Sequence, residues 1–152
     1  MFEWNDKYSC GIKKIDDEHK RLFEIGREIY NLVKDVNEMA YIDQILDAID
    51  ELKDYTVYHF EDEERIMLMY EYPGYKEQKL VHDKFIDKIE NLDTDEIEKN
   101  PQEEVIKLLD FVYNWISEHI LGMDFKIKDY VNNLKLSTLL KHSNKFVEDE
   151  KK

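Results

Sequence analysis

Glycine and proline are scarce in this chain. Four glycines and two prolines stand among 152 residues, too few for the tight turns of an all-β protein, so helices are expected. Cysteine is scarcer still. Cys10 is alone, which excludes an intramolecular disulfide, and it is expected to be a partly buried structural residue. No apolar run approaches the roughly 20 residues that span a bilayer. The opening MFEWNDKYSC lacks the apolar stretch of a signal peptide, and a cytoplasmic location is the default expectation. Bases are also short: 22 Lys and Arg against 36 Asp and Glu leave a formal net charge of −14. A surface this acidic repels nucleic acid and anionic membranes, so neither is expected as a partner. Which protein partner it has, the sequence leaves unknown.

What is present is apolar periodicity. Hydrophobic residues make up 42%, and four segments carry them at three-and-four spacing. The first is predicted from about Asp17 to Glu38, with Leu22, Phe23, Ile29, Tyr30, Val33 and Val36 facing in. The second runs from about Ile42 to Tyr70 and ends at EYPGY, where Pro73 and Gly74 break it. The third spans about Tyr75 to Leu92. An acidic connection, DTDEIEKNP, follows; Asn100 reads as an N-cap and Pro101 as the first position of the fourth segment. That segment continues in some form towards Leu134. Short connections imply an all-α, up-down-up-down antiparallel four-helix bundle. An N-terminal arm carrying Phe2, Trp4 and Tyr8 packs on it. Residues 1–134 form the bundle, and residues 135–152 form a C-terminal tail or short extra helix.

Four of the five histidines fall on the inward stripes. His19 is one turn before Leu22 and Phe23. His59 and Glu63 continue the line of Ile45, Ile49, Leu52 and Thr56. His82 shares a face with Phe85, Ile86 and Ile89, and His119 is one turn beyond Trp115 and Ile116. Only His142, in the tail, is left out. Most acids of VYHFEDEERIM, residues 57–67, are expected to face water, and Glu63 is the exception. One such histidine is more simply a hydrogen-bonded core residue. Four with a glutamate are not, because each buried polar group without a strong partner costs about 1–3 kcal/mol. Metal coordination makes those groups ligands. In an antiparallel bundle all four histidines lie towards the same end. Asp124, five residues after His119, adds a second carboxylate, and carboxylates bridge metals that imidazoles cap. Such donors accept zinc or manganese as well as iron.

In this order and spacing, FEWNDKYSCGIKKIDDEHKRLF, HFEDEE, YPGYKEQKLVHDKF and WISEHILGMDFKIKDY resemble the arm and helices of the hemerythrins, specifically the single-domain bacterial type. The resemblance covers roughly residues 2–131. It implies a non-haem di-iron centre, oxo- or hydroxo-bridged, that binds dioxygen reversibly. By position, His19 and His59 would hold the iron that receives oxygen, His82 and His119 the other, and Glu63 and Asp124 would bridge them. Ile116 and Ile120 are candidates for an apolar oxygen pocket, or for ordinary core. One position departs: the family places His-x-x-x-His on the third helix, and here Gln78 precedes His82. Gln78 coordinates through its oxygen, or water takes the place, or that metal is held weakly.

Three functions stay open at this level. The first is reversible oxygen binding for storage, delivery or sensing. The second is a di-iron enzyme acting on peroxide, nitric oxide or ferrous iron. The third is a bundle retaining only one metal.

Overall fold

The computed structural model describes residues 2–34 and 42–150, with side chains described through Thr138. A single 3-10 turn, Asp6–Tyr8, precedes helices α1 (Lys13–Lys34), α2 (Ile42–Met69), α3 (Tyr75–Glu90), α4 (Thr94–Lys99), α5 (Pro101–His119) and α6 (Phe125–Glu150). A π-helical turn, Ile120–Asp124, joins α5 to α6. No strand occurs among the described residues, and the chain is an all-α bundle. α1 packs against α2 and α5, and α2 packs against α3. None of these helices is long and apolar enough to cross a membrane.

The inward stripes form one core. Leu22, Phe23, Ile29 and Val33 of α1 meet Ile45, Ile49 and Leu52 of α2, Phe85 and Ile89 of α3, and Val105, Leu109 and Val112 of α5. Tyr30, expected inside, lies at the surface, at 36% exposure. Val36 and Glu38 lie outside the described residues. α1 starts earlier than expected because Asp16 ties down the chain before it, accepting from Ser9 Oγ at 2.6 Å and from the Cys10 backbone N–H at 2.8 Å. Cys10 is more deeply buried than its neighbours in sequence suggested, at 2% exposure. Burial pushes its thiol up to about 12, so it is an inert core group.

The arm is anchored by Phe2, which is fully buried although its φ of 62° is left-handed, a conformation that costs a bulky residue energy. Its ring sits edge-on to Phe23 and Tyr113 and covers Gly26 of α1. A Cβ on Gly26 would lie 2.5 Å from that ring, so only glycine admits it. The acidic connection contains α4, which periodicity over so short a stretch did not reveal. Asp93 caps it, accepting from the backbone N–H groups of Asp95 and Glu96. Asn100 does occupy the N-cap of α5 with Pro101 following, but its side chain makes no capping hydrogen bond. α6 runs without a break past Leu134, so the line drawn between residues 134 and 135 falls inside one helix.

Candidate metal centre

His19 in α1, His59 and Glu63 in α2, Gln78 and His82 in α3, His119 at the end of α5 and Asp124 at the end of the π turn are all buried. Only His119 exceeds 1% exposure, at 6%. Their donor atoms gather in two groups that share Glu63. His19, His59, Glu63 and Asp124 form one, and Glu63, His82 and His119 form the other, with ligand atoms within 4.8 Å of one another in each. The agreement in height expected from an antiparallel bundle is therefore met in space.

The π turn explains how the last pair meets. In a regular α-helix, residues five apart are separated by about 140° around the axis, at 3.6 residues per turn. Between Ile120 and Asp124 the backbone bonds from i to i+5, as where the Phe125 N–H reaches Ile120 O. This widening returns Asp124 to the face of His119, and their Oδ1 and Nε2 atoms lie 3.3 Å apart. Single-turn π segments of this kind are common at functional sites.

Both carboxylates reach both sides. Asp124 sets Oδ2 3.3 Å from His19 Nε2 and Oδ1 3.3 Å from His119 Nε2. Glu63 sets Oε2 2.9 Å from His59 Nε2 and Oε1 3.9 Å from the Nε2 atoms of both His82 and His119. The Nε2 atoms of His82 and His119 lie 3.0 Å apart. About 3 Å is the spacing two imidazole nitrogens take on one ion at a right angle, with bonds of about 2.0–2.1 Å.

Outside this ring, two acids hold the imidazoles. His59 donates from Nδ1 to Glu18 Oε1, and His82 from Nδ1 to Glu64 Oε2, both at 2.8 Å. Each bond turns the other nitrogen, Nε2, inward, where it serves as a donor to metal once it carries no proton. Glu18 and Glu64 were not singled out from the sequence. Their signal was there, in acids beside His19 and Glu63, but it is shared by many solvated acids. The expectation that most acids of residues 57–67 face water is corrected: Asp62, Glu63 and Glu64 are all buried and Glu61 is not. Asp62 is held by Lys14 at 2.8 Å and by Arg65.

The electrostatics match a site that wants cations. Burial holds the imidazoles of His19 and His82 below their ordinary value. Burial also pulls His59 down, but the carboxyl groups of Glu18 and Glu63 outweigh it and raise the ring to about 10. Burial and the neighbouring charge of Asp124 push Glu63 well above the usual carboxylate range. Burial opposes ionisation of Asp124 too, yet His119 and the hydrogen bonds around it hold that carboxyl well below the range. Both Glu63 oxygens, Asp124 Oδ2, Gln78 Oε1 and His19 Nδ1 are buried with no hydrogen-bond partner. The oxygens among them would cost about 1–3 kcal/mol each if nothing bound them. A bound cation satisfies these oxygens, and the residues fit a metal.

Comparison with known proteins decides the family. The model of the hemerythrin HHE cation binding domain matches residues 10–131. This chain belongs to the hemerythrin family. A bacteriohemerythrin of Clostridium acetobutylicum is 40% identical over 132 residues, covering 87% of this chain and all of that protein. A bacteriohemerythrin of Pseudomonas paraeruginosa is 30% identical over 139 residues, 91% of this chain and 86% of its own. The myohemerythrin of Sipunculus nudus is 27% identical over 127 residues, 84% and 91% of the two chains. The imidazole and carboxylate groups gathered here all lie within the stretch that the family model matches, with Gln78 beside them.

Proposed function

We propose that this hemerythrin-family chain carries a non-haem di-iron centre and binds dioxygen reversibly, for storage, delivery or sensing. The observation that carries the reading is the pair of carboxylates. Glu63 and Asp124 each turn one oxygen towards His19 or His59 and the other towards His82 or His119. Two carboxylates spanning two histidine pairs is the donor set for two ions side by side. His19 and His59 would hold the iron that receives oxygen, His82 and His119 would hold the second, and Glu63 and Asp124 would be shared between them. The irons supply reversible two-electron binding of dioxygen. The protein supplies neutral imidazoles fixed by Glu18 and Glu64, and apolar side chains around them. Ile116 and Ile120, buried at 3% and 1% exposure, line the oxygen side and exclude water.

The same positions support an up-down-up-down order. His19 is early in α1, His59 late in α2, His82 in the first half of α3 and His119 last in α5. Positions early in α1, late in α2 and last in α5 come to one level when successive long helices alternate in direction. Residues 1–134 then form the oxygen-binding unit, and α6 continues beyond it to Glu150.

The test is a spectrum. The protein is loaded with ferrous iron without air, exposed to oxygen, then stripped of it. A visible absorption that rises on aeration and fades on stripping supports oxygen binding. An absorption that rises once and stays means oxidation without reversible binding. Turnover of peroxide with a reductant would replace this reading with an enzyme.

A further inference from the structure

We propose that Gln78 is itself a metal ligand, binding the ion of His82 and His119 through its carboxamide oxygen while its N–H holds Asp124. This rests on the di-iron reading and specifies the one position where the chain departs from the family pattern.

Gln78 is 1% exposed and lies one helical turn before His82, on the same inward face of α3. Its Nε2 donates to Asp124 Oδ1 at 3.3 Å. The opposite orientation of the amide would set two oxygens against each other, so the contact fixes which end faces the carboxylate. Gln78 Oε1 is then left buried with no partner. Buried amide oxygens are nearly always satisfied. A glutamine serving only to orient Asp124 would not need its oxygen in the interior without a partner. The same Asp124 Oδ1 is 3.3 Å from His119 Nε2, so the amide and the imidazole converge on one carboxylate oxygen. A metal bound to the amide oxygen and to that carboxylate closes a six-membered ring through the N–H bond. Neither end of the amide is then unsatisfied.

Two consequences follow. The ion at His82 and His119 receives one hard, neutral oxygen in place of a third imidazole, and oxygen is the weaker donor for iron. It is therefore the more easily lost of the two. The donor at position 78 must also be an oxygen or nitrogen with a lone pair, and side chains without one will not serve.

Metal-free wild type, Gln78→Glu and Gln78→Ala proteins are titrated with ferrous iron without air, with a competing chelator setting the free metal. Bound iron is counted by elemental analysis, and helix content is followed by circular dichroism. Wild type and Gln78→Glu are expected to bind two irons, the glutamate at least as tightly because it keeps an oxygen at that point. Gln78→Ala is expected to keep the first iron unchanged and to bind the second roughly tenfold or more weakly. A fully helical Gln78→Ala protein that binds both irons like wild type overturns the assignment. If the alanine protein does not fold, the Mössbauer spectrum of Gln78→Glu decides. A carboxylate donor should move one of the two iron signals, and two unmoved signals overturn the assignment. Wild type that takes up no pair of irons overturns the di-iron reading, a result distinct from either.

Discussion

His59 shows how one side chain is set for its task. Its Nδ1 is held by Glu18 and its Nε2 lies 2.9 Å from Glu63, and without metal the ring keeps its proton up to about 10. The sign of the linkage follows. A raised value favours the folded metal-free protein fully below the ring's ordinary range near 6.5, and that contribution is lost as pH climbs through about 10. Metal must displace the same proton. Iron uptake at pH 7 should therefore release protons and strengthen with rising pH. Calorimetry in two buffers of different ionisation heat reads this directly, and an uptake heat independent of buffer would contradict it. The histidines and Glu63 were legible as inward positions because each lies on an apolar stripe. Glu18 and Glu64 were not, because a buried acid that props an imidazole has the same spacing as one that faces water. Replacing either by alanine should lower metal affinity about 10–100-fold while leaving the helices intact, which the chelator titration measures.

At the level of elements, helix existence and order followed from periodicity, and the irregular pieces did not. α4 is too short to show a period, and the π turn breaks the one around it. Its spacing of five was nevertheless visible in His119 and Asp124, residues that a regular helix would turn apart. This gives a paired expectation. Deleting Gly122 closes the widened turn to a regular helix and leaves histidine and aspartate four apart, on one face, so two irons should remain. Inserting an alanine after Gly122 rotates Asp124 by about 100°, and iron content should fall to one or none. Equal iron in both variants would sink this account of the turn. The arm obeys a simpler constraint. Gly26→Ala drives a methyl group into the Phe2 ring, 2.5 Å from the new atom, and should cost about 1–3 kcal/mol, read by denaturant unfolding. A variant as stable as wild type would mean that the arm does not need the glycine.

For the whole molecule, composition excluded more than it specified. Few glycines, one cysteine and no long apolar run left a helical bundle as the remaining class. The formal charge of −14 says little about the centre, which is defined by a handful of buried groups. Those groups make the metal-free bundle costly, because its interior polar atoms lack partners. Metal should therefore stabilise it strongly. Each ion at a hundredfold excess over its dissociation constant contributes about 2.7 kcal/mol. At about 2–4 °C per kcal/mol for a chain this long, two ions should raise Tm by about 10–20 °C. Calorimetry of metal-free and loaded protein measures it, and a shift of a degree or two would mean the cluster is not the binding site.

The most direct test of a two-metal centre is an anomalous diffraction map at the iron edge from crystals of the loaded protein. Two peaks are expected, one against His19 and His59 and one against His82 and His119, with Glu63 and Asp124 reaching both. A single peak, or peaks away from these residues, would contradict the two-metal centre.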